Sequence, residues 1–153
     1  MTLVEYGDFE CPYCGRAFHV VKELERVFGD NLRVVFRNFP LSTIHEHAEA
    51  AAEAAEAAGA QNKFWEMHDL LFQNQHALDR DDLVSYAERI GIDVMKFNRD
   101  LSEGRYVERV REDFASGVRS GVNGTPTFFI NGIRDDGPAE IGSLLSGIKQ
   151  AGE

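Results

Sequence analysis

The chain contains two cysteines, Cys11 and Cys14, set as Cys11-Pro12-Tyr13-Cys14. A β-rich run, Thr2–Tyr6, and a turn-like stretch, Gly7–Pro12, precede them, and a helical pattern starts at Cys14. A cysteine at a helix N-terminus meets unpaired backbone N–H groups and the positive end of the helix dipole, both of which stabilise a thiolate. The two-residue gap lets the second sulfur attack the first and close a small disulfide. Pro12 fixes φ in the first turn, where its missing donor costs nothing. The chemistry that fits is thiol–disulfide exchange. Zinc would take four ligands, of which this pair offers two, and His45 and His47 stand at i and i+2, which point apart on a helix. Two inert core cysteines are the other alternative; the place of Cys11 at a loop-to-helix boundary, outside any apolar stripe, disfavours it.

Apolar positions Cys14, Phe18, Val21, Leu24 and Phe28 follow helical spacing, and Gly29-Asp30 stops that helix. Leu32–Phe36, rich in valine, reads as a second, largely buried strand, so the first unit is β-α-β with parallel strands and a right-handed crossover. From His45 to about Ser120 the pattern is helical throughout. Alanines 48, 51, 52, 55 and 58 make a narrow face, ended by Gly59; Phe64–Asn74 is an aromatic helix with His68 beside Trp65. Asp79 or Asp81 caps a third helix and Asp93 a fourth. A fifth, from about Arg105 to Val118, turns Val107, Val110, Phe114 and Val118 inward. The β pattern returns at Thr127–Ile130, Asn131-Gly132 is a type I′ hairpin pair, and Ile133-Arg134 begins the return strand. Pro138 is placed just inside a last helix carrying Ile141, Leu144, Leu145 and Ile148. The expected fold class is α/β: residues 1–42 and 122–153 form one β-α-β … β-β-α unit, interrupted by a helical insert at residues 43–121.

The chain has 153 residues, 43% of them hydrophobic, and a net charge of −10. That length can bury its own core without disulfide staples. The acidity argues against a nucleic-acid partner, and the longest apolar runs are far too short to span a membrane. The N-terminus has no basic region followed by an apolar one, so the chain as it stands is expected in the cytoplasm, and outside it if this is a mature form. No nucleotide-binding glycine motif or H-E-x-x-H occurs, and the five histidines read as structural or solvated. No cofactor is expected.

Gly124-Thr125-Pro126-Thr127 lies far from the cysteines in sequence, and a proline at the head of a strand can be a cis turn. Glu5 through Cys14, Phe39-Pro40-Leu41, Phe64-Trp65-Glu66-Met67-His68 and Gly124 through Phe129 together resemble the DsbA-like branch of the thioredoxin superfamily. They are similar also to the soluble domain that some NhaA-type sodium/proton antiporters carry at their C-terminus. The resemblance covers nearly the whole chain. It implies a thioredoxin fold with a helical insert, thiol–disulfide oxidoreductase activity and a cis Pro126 against the cysteine pair. By the same resemblance, Cys11 is the exposed nucleophile, Cys14 the buried resolving partner, and Glu5 a buried acid that relays the proton of Cys14. Phe9, Pro12, Tyr13 and the Thr125 backbone would meet a bound peptide. The implied partners are thiol- or disulfide-containing proteins and a redox recycling partner, with an antiporter association implied only through the fused relatives.

Three departures from the family pattern carry expectations. A strand that many members have before Thr2 is absent, which either leaves a sheet edge open or means that the chain is trimmed or pairs with another. Tyr13 stands where the strongest oxidants have a histidine. Asp8 and Glu10 are anions close to Cys11, which should raise its pKa and make the pair a milder oxidant, in the range of ~ −150 to −230 mV. A disulfide isomerase, a glutaredoxin-like reductase and a redox-sensitive binding module are the alternative functions.

Overall fold

The computed structural model describes residues 1–152. Its sheet has four strands, β1 (Thr2–Gly7), β2 (Arg33–Asn38), β3 (Thr127–Ile130) and β4 (Ile133–Asp135), in the order β2-β1-β3-β4. Helix α1 (Pro12–Phe28) links β1 to the parallel β2, and β3 runs antiparallel to both β1 and β4. Five helices stand between β2 and β3: α2 (Ala48–Gly59), α3 (Phe64–Gln73), α4 (Arg80–Arg89), α5 (Val94–Ser102) and α6 (Val107–Arg119). A last helix, α7 (Ile141–Ala151), follows β4. This is the α/β thioredoxin fold with a helical insertion.

The alternation along β1 sends its residues to two different layers. Leu3 packs with Ala17, Val21 and Leu24 of α1, Phe128 and Ile130 of β3, and Leu144 and Ile148 of α7. Tyr6, on the opposite face, packs with Phe39 and Val122, against Phe114 of α6. Glu5 shares the Leu3 face, so the strand that ends at the cysteines also places a carboxylate beneath α1. The insert shares a core with α1, β2 and the cysteine loop: the α2 alanines let α3 and α5 approach closely, and Met67, Leu71, Leu83 and Phe97 fill the space in one cluster with Phe9, Cys14, Phe18 and Phe36.

Local punctuation follows side-chain chemistry. Asp79 caps α4 in a reciprocal box with Asp82, and Asp93 accepts from Lys96 N at 3.0 Å to cap α5. Asn131 and Gly132 both take positive φ, 49° and 84°, as a type I′ hairpin requires. Two expectations fail. Pro138 lies before α7, whose N-cap is Glu140. Val118 is 55% exposed because α6 turns Val110, Asp113 and Gly117 inward instead. At Gly117 an added Cβ would come within 2.8 Å of the Phe39 ring, so this glycine sets the helix rotation. Asp113, a charge at an inward position, accepts from Asn38 N and Nδ2, each at 3.0 Å, and thereby closes one end of β2.

The outer side of β2 has no strand neighbour among the described residues. A cleft of about 650 Å³ runs along it, with Val34, Phe36, Phe64 and Trp65 in its walls.

Candidate active site

Cys11 is the N-cap of α1, with extended backbone (φ −70°, ψ 123°), and Pro12 occupies the first turn. The loop feeding it is tied at several points. Cys11 N–H donates to the Asp8 carbonyl at 3.1 Å, and Asp8 N–H donates to the Cys14 sulfur at 3.5 Å. From the insert, Gln75 Nε2 donates to the carbonyls of both Phe9 and Cys11 at 2.9 Å. Both cysteines are free and buried.

The Thr125–Pro126 peptide is cis, and it places the Thr125 carbonyl 3.7 Å from the Cys11 sulfur as a thiol acceptor. Beside Tyr13 and Pro126 opens a cleft of about 790 Å³ whose walls include Arg16, Val20, Thr125 and Ile141. Tyr13 is 63% exposed, with the Arg16 guanidinium 4.6 Å above its ring. The structure thus gathers Glu5, Cys11, Pro12, Tyr13, Cys14, Thr125 and Pro126 around one point at the end of β1.

The two thiols have opposite acidities. A hydrogen bond from the Cys14 thiol is the largest influence on Cys11; with the Thr125 hydroxyl and the N–H groups of Cys14 and Tyr13 it outweighs burial and lowers the Cys11 pKa to about 5. Cys14 is pushed well above the ordinary thiol range, first by burial, then by its bond to Cys11 and by the charge of Glu5. Glu5 is 2% exposed, its Oε1 has no hydrogen-bond partner, and burial together with the Cys11 charge raises its pKa to about 8. One sulfur is therefore poised as an anion, the other as a thiol, with a proton-binding carboxyl near both.

The sequence reading needs three corrections. Cys11 is only 3% exposed, with the Thr125 carbonyl 3.7 Å from its sulfur, so it is not the exposed residue that the resemblance implies. Phe9 is 1% exposed and packs on Phe36 and Phe72 at ring distances of 5.0 and 4.8 Å; it is core and offers a peptide no surface. The Cys11 pKa is lowered, where the anions Asp8 and Glu10 were expected to leave it raised. Each is engaged by a histidine, His45 Nδ1 lying 2.8 Å from Asp8 Oδ2 and His47 Nδ1 3.3 Å from Glu10 Oε1. Sequence reasoning missed Gln75 and these two pairings, since partners 37 or more positions apart leave no local signal. Among the described residues, no group of three or more His, Cys, Asp or Glu is arranged to hold a metal ion.

A profile of the DSBA-like thioredoxin domain family matches residues 2–147. The chain belongs to this family. The DsbA-like chain is 49% identical over 151 residues to a Na(+)/H(+) antiporter NhaA 1 of Salinispora arenicola, covering 99% of itself and 23% of that protein. It is 48% identical over 134 residues to a Na(+)/H(+) antiporter NhaA of Herminiimonas arsenicoxydans, covering 88% of itself and 21% of that relative. It thus spans under a quarter of the length of these curated relatives. Among solved structures, a thioredoxin-like oxidoreductase from Silicibacter pomeroyi superposes with a TM-score of 0.85 at 29% identity, over 98% of this chain and 85% of the other. BdbD from Bacillus subtilis shares the fold, with a TM-score of 0.86 at 22% identity over 98% and 86% of the two chains.

Proposed function

We propose that this DsbA-like domain is a protein thiol–disulfide oxidoreductase that works through Cys11 and Cys14. The observation that carries the reading is the geometry: Cys11 caps α1 with Cys14 one turn in, the carbonyl before the cis Pro126 lies 3.7 Å from the Cys11 sulfur, and the Glu5 carboxyl is buried. In the oxidising direction a substrate thiolate attacks the Cys11 sulfur of the Cys11–Cys14 disulfide. The Cys11–Cys14 bond breaks, its electron pair leaves on Cys14, and a mixed disulfide joins Cys11 to the substrate. Cys14, far more basic than an ordinary thiol, takes a proton, for which protonated Glu5 is the buried donor. A second substrate thiolate then attacks the substrate sulfur of the mixed disulfide and expels Cys11 as a thiolate. Its low pKa makes it a good leaving group. The substrate ends with one disulfide, the protein with a dithiol, and a redox partner must reoxidise it. In reverse, the Cys11 thiolate attacks a substrate disulfide.

Pro12 and Tyr13 at the rim, with the cleft beside Pro126, suit an extended protein segment, and the Thr125 backbone is the pairing edge for it. Equilibration in graded thiol/disulfide buffers, followed by alkylation and mass measurement, tests the proposal. A reversible two-electron transition above about −200 mV marks a disulfide donor, and one near ~ −270 mV marks a reductase. Absence of any reversible disulfide rejects the enzyme.

A second reading rests on the names of the NhaA relatives: a domain that binds or regulates a membrane antiporter, its dithiol setting affinity. Cys11→Ser separates the two, since it abolishes exchange and leaves a binding surface intact.

A further inference from the structure

The loop that carries the dithiol rests on an acid–histidine pair. The turn Leu41–His45 is closed by bonds from Ile44 N (3.0 Å) and His45 N (2.9 Å) to the Leu41 carbonyl. It presents His45 Nδ1 to Asp8 Oδ2 at 2.8 Å, while the same carboxylate accepts from Leu41 N at 2.9 Å and, through Oδ1, from Glu10 N at 2.8 Å. Asp8 is fully buried and its backbone holds both cysteines, the Cys11 N–H by its carbonyl and the Cys14 sulfur by its N–H. His45 is thus tied to the residue whose backbone holds both cysteines, with its other ring nitrogen free of any protein partner among the described residues.

We propose that His45 is a positioning residue for the dithiol, its imidazolium, anchored on Asp8, favouring the thiolate form of Cys11 and making the reactivity of Cys11 follow histidine protonation. The proposal rests on reading Cys11 as the attacking sulfur. The charged groups acting on His45 are Asp8, Cys11 and Glu10, and His45 gains affinity for its proton from all three, against its burial. Linkage is reciprocal: if the Cys11 thiolate raises the proton affinity of His45, protonated His45 lowers that of Cys11 by the same factor. When His45 loses its proton, the Asp8 carboxylate remains without its counter-charge beside Cys11. Glu10 belongs to a separate pairing: the His47 backbone N–H donates to its Oε2 at 2.7 Å, and the His47 ring lies between Glu10, Glu46 and Asp79.

The test is the thiolate absorbance of the reduced protein against pH, in wild type and in His45→Asn. Asparagine retains a donor toward Asp8 but no charge, so it rescues a purely structural role and not an electrostatic one. The expected result is a rise in the apparent Cys11 pKa of about one unit, a tenfold change that lowers the reduction potential by about 30 mV. An unchanged Cys11 titration in a folded His45→Asn protein overturns the proposal. A variant that fails to fold is replaced by imidazole NMR of the reduced wild type and of Cys11→Ser. His45 must then titrate at a higher pH with the thiolate present, and equal values overturn the proposal. Both measurements use reduced protein, so absence of a reversible disulfide would reject the enzyme reading while leaving this inference to its own result.

Discussion

Glu5 and Asp8 are two buried carboxylates three residues apart on the same approach to Cys11, and their surroundings are opposite. Asp8 accepts from two backbone N–H groups and the His45 ring. Glu5 lies under α1 with Oε1 unpartnered. Native interiors satisfy nearly every buried polar atom, so a satisfied acid reads as architecture and an orphaned one as a group kept for chemistry. The difference follows from local chain geometry. Asp8 sits past the end of β1, where the turn exposes N–H groups to its short side chain; Glu5 sits mid-strand, where both neighbouring strands use up the backbone donors.

The largest effect should come from Asp8→Ala. It removes the acceptor of three hydrogen bonds and leaves His45 and two N–H groups unpaired, and breaking such a buried network costs about 3–5 kcal/mol. Urea denaturation reads it directly. Glu5→Gln should do the reverse, with stability at neutral pH held or raised and turnover in disulfide exchange lowered by about 10²-fold, the lower range for a lost proton-transfer group. If Glu5→Gln unfolded the protein while exchanging disulfides normally, the contrast between the two acids would collapse.

The same contrast has a pH signature. Glu5 binds its proton more tightly in the folded state, with a pKa of about 8 against 4.5. Its contribution is fully present below pH 4.5 and is lost as pH rises toward 8. The reduced protein obscures this, because the lowered pKa of Cys11 contributes stability at high pH that is lost as pH falls through about 5. In a Cys11→Ser, Cys14→Ser protein the Cys11 contribution is gone, and so is the Cys11 charge that helps raise Glu5; burial remains, so stability should fall as pH rises above about 5, by up to about 1.4 kcal/mol per unit, and level off below pH 8. Adding Glu5→Gln should flatten that slope.

How much of this was legible in the sequence depends on range. Cys11, Cys14 and Pro12 announce themselves locally because a redox dithiol needs adjacent positions at a helix start. The strands and helices followed from hydrophobic period, and Asn131-Gly132 from the φ values its turn demands. Glu5 was singled out only through the family resemblance, and its unpartnered state could not be, since that depends on what α1 and β3 cover. Asp8 and Glu10 were misread because their charges were visible and their histidines, far along the chain, were not. Phe9 was misread for a related reason: beside an active site an aromatic can face either way, and here Phe36, His68 and Phe72 enclose it. The rotation of α6 hung on Gly117 and a buried Asp113, neither of which a hydrophobic pattern registers.

Gln75 and Tyr13 give the smaller predictions and extend the comparison from acids to neutral groups. Gln75 reaches across from the insert to two carbonyls of the Cys11 loop, and Gln75→Ala should cost about 1–2 kcal/mol, the worth of two neutral hydrogen bonds. Part of that loss should appear as faster amide exchange at Cys11 and Gly15 relative to the rest of α1, because the loop is what Gln75 holds. Tyr13 touches little but Arg16 and solvent, so Tyr13→Ala should change stability by less than about 0.5 kcal/mol. Its effect belongs in peptide binding: KM for a peptide substrate should rise, while the Cys11 thiolate titration stays put, because no part of the Tyr13 side chain bonds to either sulfur. If Tyr13→Ala instead moved the thiolate titration, the charge environment of Cys11 would extend to the solvent-facing rim, and the division between an architectural Asp8 side and a reactive Glu5 side would have to include a third group.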